Sequence, residues 1–453
     1  MSRRTVNSMR PPLLLIAAAI VSVAVAAIPL LYLLVRTSSA GWNAVVEALF
    51  RDRTLETTIT SVALVTLVIV GCLLIAVPTA WLLARTNIPG RAFFLVMAAL
   101  PLAVPSYVMA YAWIAEFPGM SGIWAAALVM VLATYPYVVI PLTAALRSID
   151  AGHEEAARSL GLGPLAVARR VTLPLAWPAA AAGVLLAALY TLSEFGTVAI
   201  FRVDAFTRVI YTAYRASFDR TTAAVLSLVL VCLALLLVVI EARIRGKSQR
   251  WRIGSGVSRP APRQELRTRG TAFGVAWLVG VAVLSLGVPA WSLTRLLLES
   301  RRTELNVGEL MGAVVGSVSS SILGAALALL LALPIAALAA RYHSRIVRSI
   351  EGAAFLGHAL PGVVVGLSLV FFTLAVLPAA YQTLAVLAFA YAVLFLPKAI
   401  GSSRSAIAHV PPGLESTARS LGRGPLRAWC TVTGRLAWPG IAAGTLLVVL
   451  TAM

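Results

Sequence analysis

The chain has 453 residues, 60% hydrophobic and 12% charged, with a mean hydropathy of +0.92 and a formal net charge of +20. A soluble domain is about 25% charged, so this composition excludes a soluble globular enzyme. Apolar runs of some 20 residues recur, each long enough to cross about 30 Å of hydrocarbon as a helix. They do not alternate as outer-membrane strands do, so the expected class is an all-α polytopic membrane protein.

In chain order the expected spans are 12–35, 57–84, 92–115, 122–146, 176–200, 222–242, 271–298, 313–340, 353–377, 380–401 and 437–453. The chain opens with Arg3, Arg4 and Arg10 before an apolar run from Pro11 to Val35. That run is too long for the core of a cleaved signal peptide and reads as a retained first helix. With the N-terminus inside, the inner segments hold 27 of the 37 Lys and Arg. This bias orients the helices and puts the excess positive charge on the cytoplasmic face. Topology accounts for the charge, and no aromatic–basic interleaving points to nucleic acid.

Three cysteines, Cys72, Cys232 and Cys430, lack the spacing of a zinc site or a disulfide framework. His153, His343, His358 and His409 are scattered and read as structural. Gly246-Lys247-Ser248 mimics the end of a phosphate-binding loop, but Glu241 stands where the first glycine belongs and no strand precedes it. No catalytic constellation is evident, and the chain reads as a non-enzyme.

The most informative feature is an internal repeat. Ala157-Arg158-Ser159-Leu160-Gly161 returns as Ala418-Arg419-Ser420-Leu421-Gly422, and the match runs without a gap to Gly183 and Gly444. The offset is 261 residues, and 18 of the 29 positions from Ala157 to Leu185 are identical to their counterparts. Weaker echoes support two related halves: Ala76-Val77-Pro78 with Ala332-Leu333-Pro334, Ala84-Arg85 with Ala340-Arg341, Leu100-Pro101 with Leu360-Pro361, and Pro136 with Pro397.

The expected organisation is a first half over 1–246 with six spans and a charged loop at 147–175. A basic cytoplasmic linker follows over 247–270, then a second half over 271–453 with a charged loop at 402–436. Six spans per half make the halves parallel repeats and put both charged loops in the cytoplasm. Met453 corresponds to Leu192 of the first half, so the second half is expected to be truncated inside its fifth span, giving about 11 spans.

Each charged loop starts a short helix with acids, Glu154 and Glu155 in the first copy and Glu415 in the second, which suits the positive end of a helix. Gly161 and Gly422 stop the helix, with Pro164 and Pro425 just beyond. The expected product is a pair of docking helices presenting small side chains and an arginine, Arg158 or Arg419.

The first loop resembles the EAA motif of binding-protein-dependent ABC importer permeases. That motif is Glu-Ala-Ala, three residues, Gly, nine residues, then Ile-x-Leu-Pro. Here it reads Glu155-Ala156-Ala157, Gly161 and Val171-Thr172-Leu173-Pro174, with Val in place of Ile. The second copy is degenerate, with Ser416-Thr417-Ala418 in place of Glu-Ala-Ala and Gly434-Arg435 in place of Leu-Pro. Fusion of two halves resembles the iron(III) importer permeases, whose relatives carry thiamine or aminoalkylphosphonates. Ser193-Glu194-Phe195-Gly196 is similar to the iron-type pattern after the fifth span.

The resemblance implies a type I ABC importer transmembrane fold working by alternating access in the bacterial inner membrane. It implies two cytoplasmic ABC ATPase subunits, which use the ATP, and a periplasmic or surface substrate-binding protein. No cofactor is expected on this chain. The docking residues implied are Glu154, Glu155, Ala156, Ala157, Arg158 and Gly161 in the first loop, and Glu415, Ala418, Arg419 and Gly422 in the second. Glu194, nearly alone as a charge in a span, is the candidate pathway residue, with Ser193, Phe195 and Gly196 beside it. Two rival classes are an ion-coupled secondary transporter, against which the scarcity of ionisable residues in the spans weighs, and a non-transporting membrane scaffold or membrane enzyme, the enzyme being disfavoured by the lack of clustered His, Asp or Ser at the membrane surface.

Overall fold

The computed structural model describes residues 11–39, 41–215, 220–246, 263–299, 307–342, 344–355 and 361–452. Arg3, Arg4, Arg10, His343, His358, Leu360, Met453 and most of the 247–270 linker, including Lys247, Arg250, Arg252 and Arg259, lie outside these residues. Every regular element among the described residues is helical, apart from an isolated bridge between Thr86 and Gln264. Lipid offers the backbone no hydrogen bonds, so an apolar run must satisfy its own N–H and C=O groups. Polar side chains in the spans use the same device. Thr57, Thr191, Ser227 and Ser368 each donate to the carbonyl four residues earlier, at 2.7–2.8 Å.

Among the described residues seven helices are long and apolar enough to cross a membrane: Asp52–Arg85, Pro164–Ser193, Thr221–Ile240, Thr268–Glu299, Val307–Arg341, Leu384–Ala408 and Trp429–Ala452. Three more expected spans are bent pairs. Leu13–Ala26 meets Ile28–Ser39 at 51°, Arg91–Ala103 meets Ser106–Glu116 at 95°, and Gly122–Thr134 meets Pro136–Ser148 at 40°. Pro29, Pro105 and Pro136 sit at the three breaks. A proline lacks the N–H that would continue the ladder, and its ring crowds the preceding turn.

Some expected boundaries need correction. The span placed at 353–377 is helical and apolar over Gly362–Val376. The preceding helix, Arg345–Phe355, is amphipathic, burying Val347, Ile350 and Ala354 while Arg345 and Arg348 are exposed. The fifth and eleventh spans begin earlier than expected, at Pro164 and Trp429.

The sharply bent second pair, Arg91–Ala103 with Ser106–Glu116, is a broken crossing rather than a hairpin that returns to its own side. Arg147 donates to the Leu83 carbonyl at 3.1 Å, so the helices Asp52–Arg85 and Pro136–Ser148 finish at the same end of the bundle. The Leu266 N–H reaches Asn87 at 3.1 Å, so the helix Thr268–Glu299 starts at that end too. Its 32 residues carry Arg295 some 40 Å away, at 1.5 Å per residue. There Arg295 meets Glu116 at 3.5 Å. The chain therefore passes from one end to the other between Arg91 and Glu116.

The chain packs as two compact units, Met1–Gly41 with Glu304–Met453, and Trp42–Thr303. These cut the chain differently from the sequence halves. The opening helix pair, Leu13–Ala26 and Ile28–Ser39, belongs with the later spans. Ala19 joins the core of Ala325, Ala328 and Ala332, and Tyr32 meets Phe372 edge-on with ring centroids 5.7 Å apart. Reciprocally, Thr268–Glu299 packs with the earlier spans, where Trp277 donates to Thr79 at 3.0 Å. The sequence echoes at Pro78 and Pro334 fall at matching places, inside the long helices that end at Arg85 and Arg341.

The last identical glycines of the repeat mark close approaches. A Cβ at Gly183 would run into the Tyr137 carbonyl, and one at Gly444 into the Ser402 side chain. Small residues let helices approach this closely in lipid. We expect Gly183→Val to cost about 1–3 kcal/mol through overpacking, read as a lower melting temperature in detergent. Gly163→Ala, where nothing lies within 4 Å, should leave it unchanged.

Candidate functional site: the paired loop helices

The two charged loops fold alike. Ala151–Ser159 forms the first loop helix and Pro412–Ser420 the second. Asp150 caps the first, its carboxylate accepting the Gly152 N–H at 2.9 Å, which satisfies one of the orphan donors of the opening turn. Both helices end in the same motif. The N–H of Gly161 bonds the Arg158 carbonyl at 2.9 Å and that of Leu162 bonds Ala157 at 3.2 Å. The N–H of Gly422 bonds Arg419 at 3.0 Å and that of Arg423 bonds Ala418 at 3.2 Å. This is a Schellman cap. It needs a left-handed residue, and the two glycines supply it at φ +83° and +84°.

The helical period sorts the expected docking residues into two faces. Ala151, Glu154 and Ala157 point inward and are buried, while Glu155, Ala156, Arg158 and Gly161 are exposed. In the second copy Ala418 is buried and Glu415 half-buried, while Ser416, Thr417, Arg419 and Gly422 are exposed. Glu154 and Ala157 therefore hold the first helix in place, and its neighbours form the outer surface. Sequence reading missed one outer pair. Leu160 and Leu421 are 83% and 79% exposed, beside the capping glycines. Their signal was their identity in both copies, in loops too polar to face lipid.

Beneath each helix a short π-helical stretch opens the next span, over Ala168–Thr172 and Trp429–Gly434. Pro174 does not cause it, since Arg435 stands at the matching position. The π turn holds a threonine beneath the loop helix. Thr172 donates to Glu154 Oε1 at 2.7 Å, and Thr433 donates to Glu415 Oε2 at 3.1 Å. In the first copy Glu154 Oε1 also receives the buried Arg85 guanidinium, and Oε2 faces Arg158 at 3.6 Å. In the second, Glu415 pairs with Arg419 at 2.7 Å. Arg341 instead donates to the Val410 carbonyl at 2.9 Å, leaving its Nε and Nη2 without a hydrogen-bond partner.

The Ser193–Gly196 segment lies where the span Pro164–Ser193 stops. Ser193 bonds back to the Leu189 carbonyl at 2.8 Å. Glu194 Oε1 accepts the Thr197 N–H at 3.0 Å and its hydroxyl at 3.3 Å, which ties down the short helix Gly196–Ile200. Thr207 donates to the Glu194 carbonyl at 2.6 Å, the Phe195 and Tyr211 rings meet at a tilt with centroids 4.9 Å apart, and Gly196 abuts Tyr107. Glu194 is thus half-buried and engaged in local hydrogen bonds. Among the described residues no three His, Cys, Asp or Glu side chains converge as a metal site.

The family model for "Binding-protein-dependent transport system inner membrane component" matches residues 76–247, a stretch that contains the first loop helix. The chain is 34% identical over 431 residues to the Fe(3+)-transport system permease protein FbpB 2 of Haemophilus influenzae, covering 94% of this chain and 85% of that protein. The chain belongs to the binding-protein-dependent ABC importer permeases, of the iron(III) type. The molybdenum transport system permease protein ModB of Escherichia coli is 29% identical over 180 residues, 35% of this chain and 78% of ModB. A chain of the inward-facing MetNI methionine ABC transporter aligns with 44% of this chain and 97% of its own, at 20% identity and a TM-score of 0.38. This permease is a multi-pass membrane subunit of an importer.

The two faces of the first loop helix are testable by cysteine labelling. With Cys72, Cys232 and Cys430 replaced, Glu155→Cys should react with a polar maleimide in the folded protein. Ala157→Cys should stay unlabelled until the protein is denatured.

Proposed function

We propose that this chain is the membrane-spanning permease of an ATP-driven iron(III) importer in a bacterial inner membrane. In this reading the outer faces of the two loop helices dock on two cytoplasmic ATPase subunits, and a binding protein delivers iron at the opposite face. ATP-driven closure of the ATPase pair switches the permease between inward and outward access. The observation that carries the docking role is the exposed surface of Glu155, Ala156, Arg158 and Leu160 on a rigidly capped helix. A large apolar side chain held out in water is a typical interface anchor. The iron assignment is supported by the extent of the likeness to the Haemophilus iron permease, which covers nearly the whole chain. The Lys and Arg bias favours a cytoplasmic N-terminus.

The second copy has Ser416 and Thr417 where the first has Glu155 and Ala156. It keeps Arg419 and Leu421, so its docking is less acidic while retaining the apolar anchor.

The deciding experiment is uptake of radioactive iron into proteoliposomes that hold the permease with its ATPase subunits, with the binding protein outside. Uptake should require ATP and persist when the proton gradient is collapsed. Dependence on the gradient alone would overturn the importer reading. Gly161→Val forces a branched side chain into a left-handed turn at roughly 1–2 kcal/mol. It should lower iron carried per ATP while leaving membrane insertion intact. For Glu194 we propose a place along the pathway, supported by its position where the fifth span ends. Glu194→Gln keeps an oxygen acceptor for Thr197 and should reduce uptake in a normally inserted protein.

A further inference from the structure

Glu154 is the point at which three separate pieces of chain meet. It comes from the loop helix, Arg85 from the end of the long helix Asp52–Arg85, and Thr172 from the π turn that opens the span Pro164–Ser193. The Arg85 and Glu154 side chains are 5% and 10% exposed. A buried ion pair seldom adds net stability, because desolvating both charges offsets their attraction, and apolar replacements are often as stable or more so. Stability alone therefore gives little reason to place a carboxylate here. Comparison of the two copies adds to this. The outward positions have drifted, from Glu155 and Ala156 to Ser416 and Thr417. The inward acid and its threonine have not, since Glu154 with Thr172 recurs as Glu415 with Thr433.

We infer that Glu154, gripped by Arg85 and Thr172, is the positioning group that turns a displacement of the first loop helix into movement of two spans. The step rests on the docking reading above. Charged hydrogen bonds are the stiff ones, and here a single carboxylate joins the loop helix to both spans. Arg158 connects this group to the outside. It is 47% exposed and pairs with Glu154 Oε2, the oxygen not bonded by Arg85 and Thr172, at 3.6 Å. A partner carboxylate that captures Arg158 would leave Glu154 to Arg85 and Thr172. In the second half Glu415 is held by Thr433 and Arg419, and Arg341 at the end of Val307–Arg341 bonds the Val410 carbonyl. That carboxylate therefore grips the span ahead of the loop more weakly, and the two loop helices differ in how firmly they drive their spans.

The test uses the full complex of permease and ATPase subunits in proteoliposomes. Four quantities are measured: inserted permease, ATPase subunit retained, ATP hydrolysed and iron taken up. The double variant R85M/E154L removes both charges and so avoids stranding one of them. It should insert, retain the ATPase and hydrolyse ATP. Iron carried per ATP should fall about tenfold, within the range usual for couplings between sites. The second-half variant E415Q should lower the same ratio less. If R85M/E154L carries as much iron per ATP as the wild type, the group is a structural staple and the inference fails. If the double variant does not insert, T172V decides. It removes one hydrogen bond and no charge, should lower the ratio about threefold, and overturns the inference if the ratio holds. A wild-type chain that neither retains an ATPase subunit nor imports with ATP would instead sink the docking reading, and this inference with it.

Discussion

A peptide group in lipid has no water to bond, and most of this molecule follows from that constraint. It makes every span a helix, and it sends the span hydroxyls back to the carbonyls four residues earlier. It also makes departures from the regular ladder costly enough to be informative. Those departures are few and repeated. Prolines bend three spans, and a π turn precedes the membrane re-entry in both halves at the same offset. Each π turn holds a threonine against a glutamate of the loop helix above. Two of the π stretches therefore lie where the polar loop is joined to the apolar bundle, while a third, Val283–Gly287, interrupts the helix Thr268–Glu299.

Much of this was legible in the sequence, for local reasons. Apolar run length located the spans, and the glycines at 161 and 422 announced a helix stop that the left-handed caps fulfil. The constant offset exposed the repeat. What escaped was set by distance along the chain. Arg85 and Glu154 are 69 residues apart, and no pattern in either neighbourhood announces that they meet. The contrast between Glu154 and Glu155 depends on how the loop helix is rotated, which the adjacent acids do not specify. The start of the ninth span was misjudged because an amphipathic helix and an apolar one lie close together there. Glu194 stood out as a charge near a span end, but its bond to the Thr197 N–H could not be foreseen without the turn that follows.

The two loops show how a repeated element can diverge while its frame is kept. C-terminal cap geometry, π turn and glutamate–threonine bond are common to both. Differences lie on the outer face, in the arginine beneath, and at the N-terminal cap, where Asp150 of the first helix gives way to Pro411 of the second. Such a division lets the surface adapt without disturbing how the helix is held. It also makes the two sides of the permease chemically distinct even though they descend from one pattern.

The placement of the opening helix pair bears on how this chain is made. Leu13–Ala26 and Ile28–Ser39 are synthesised some 300 residues before their neighbours Val307–Arg341 and Gly362–Val376. At roughly 5–20 residues per second, the opening pair waits on the order of 15–60 seconds before its packing partners exist. Its apolar surface, unusually free of charge before Arg36, suits it to that wait.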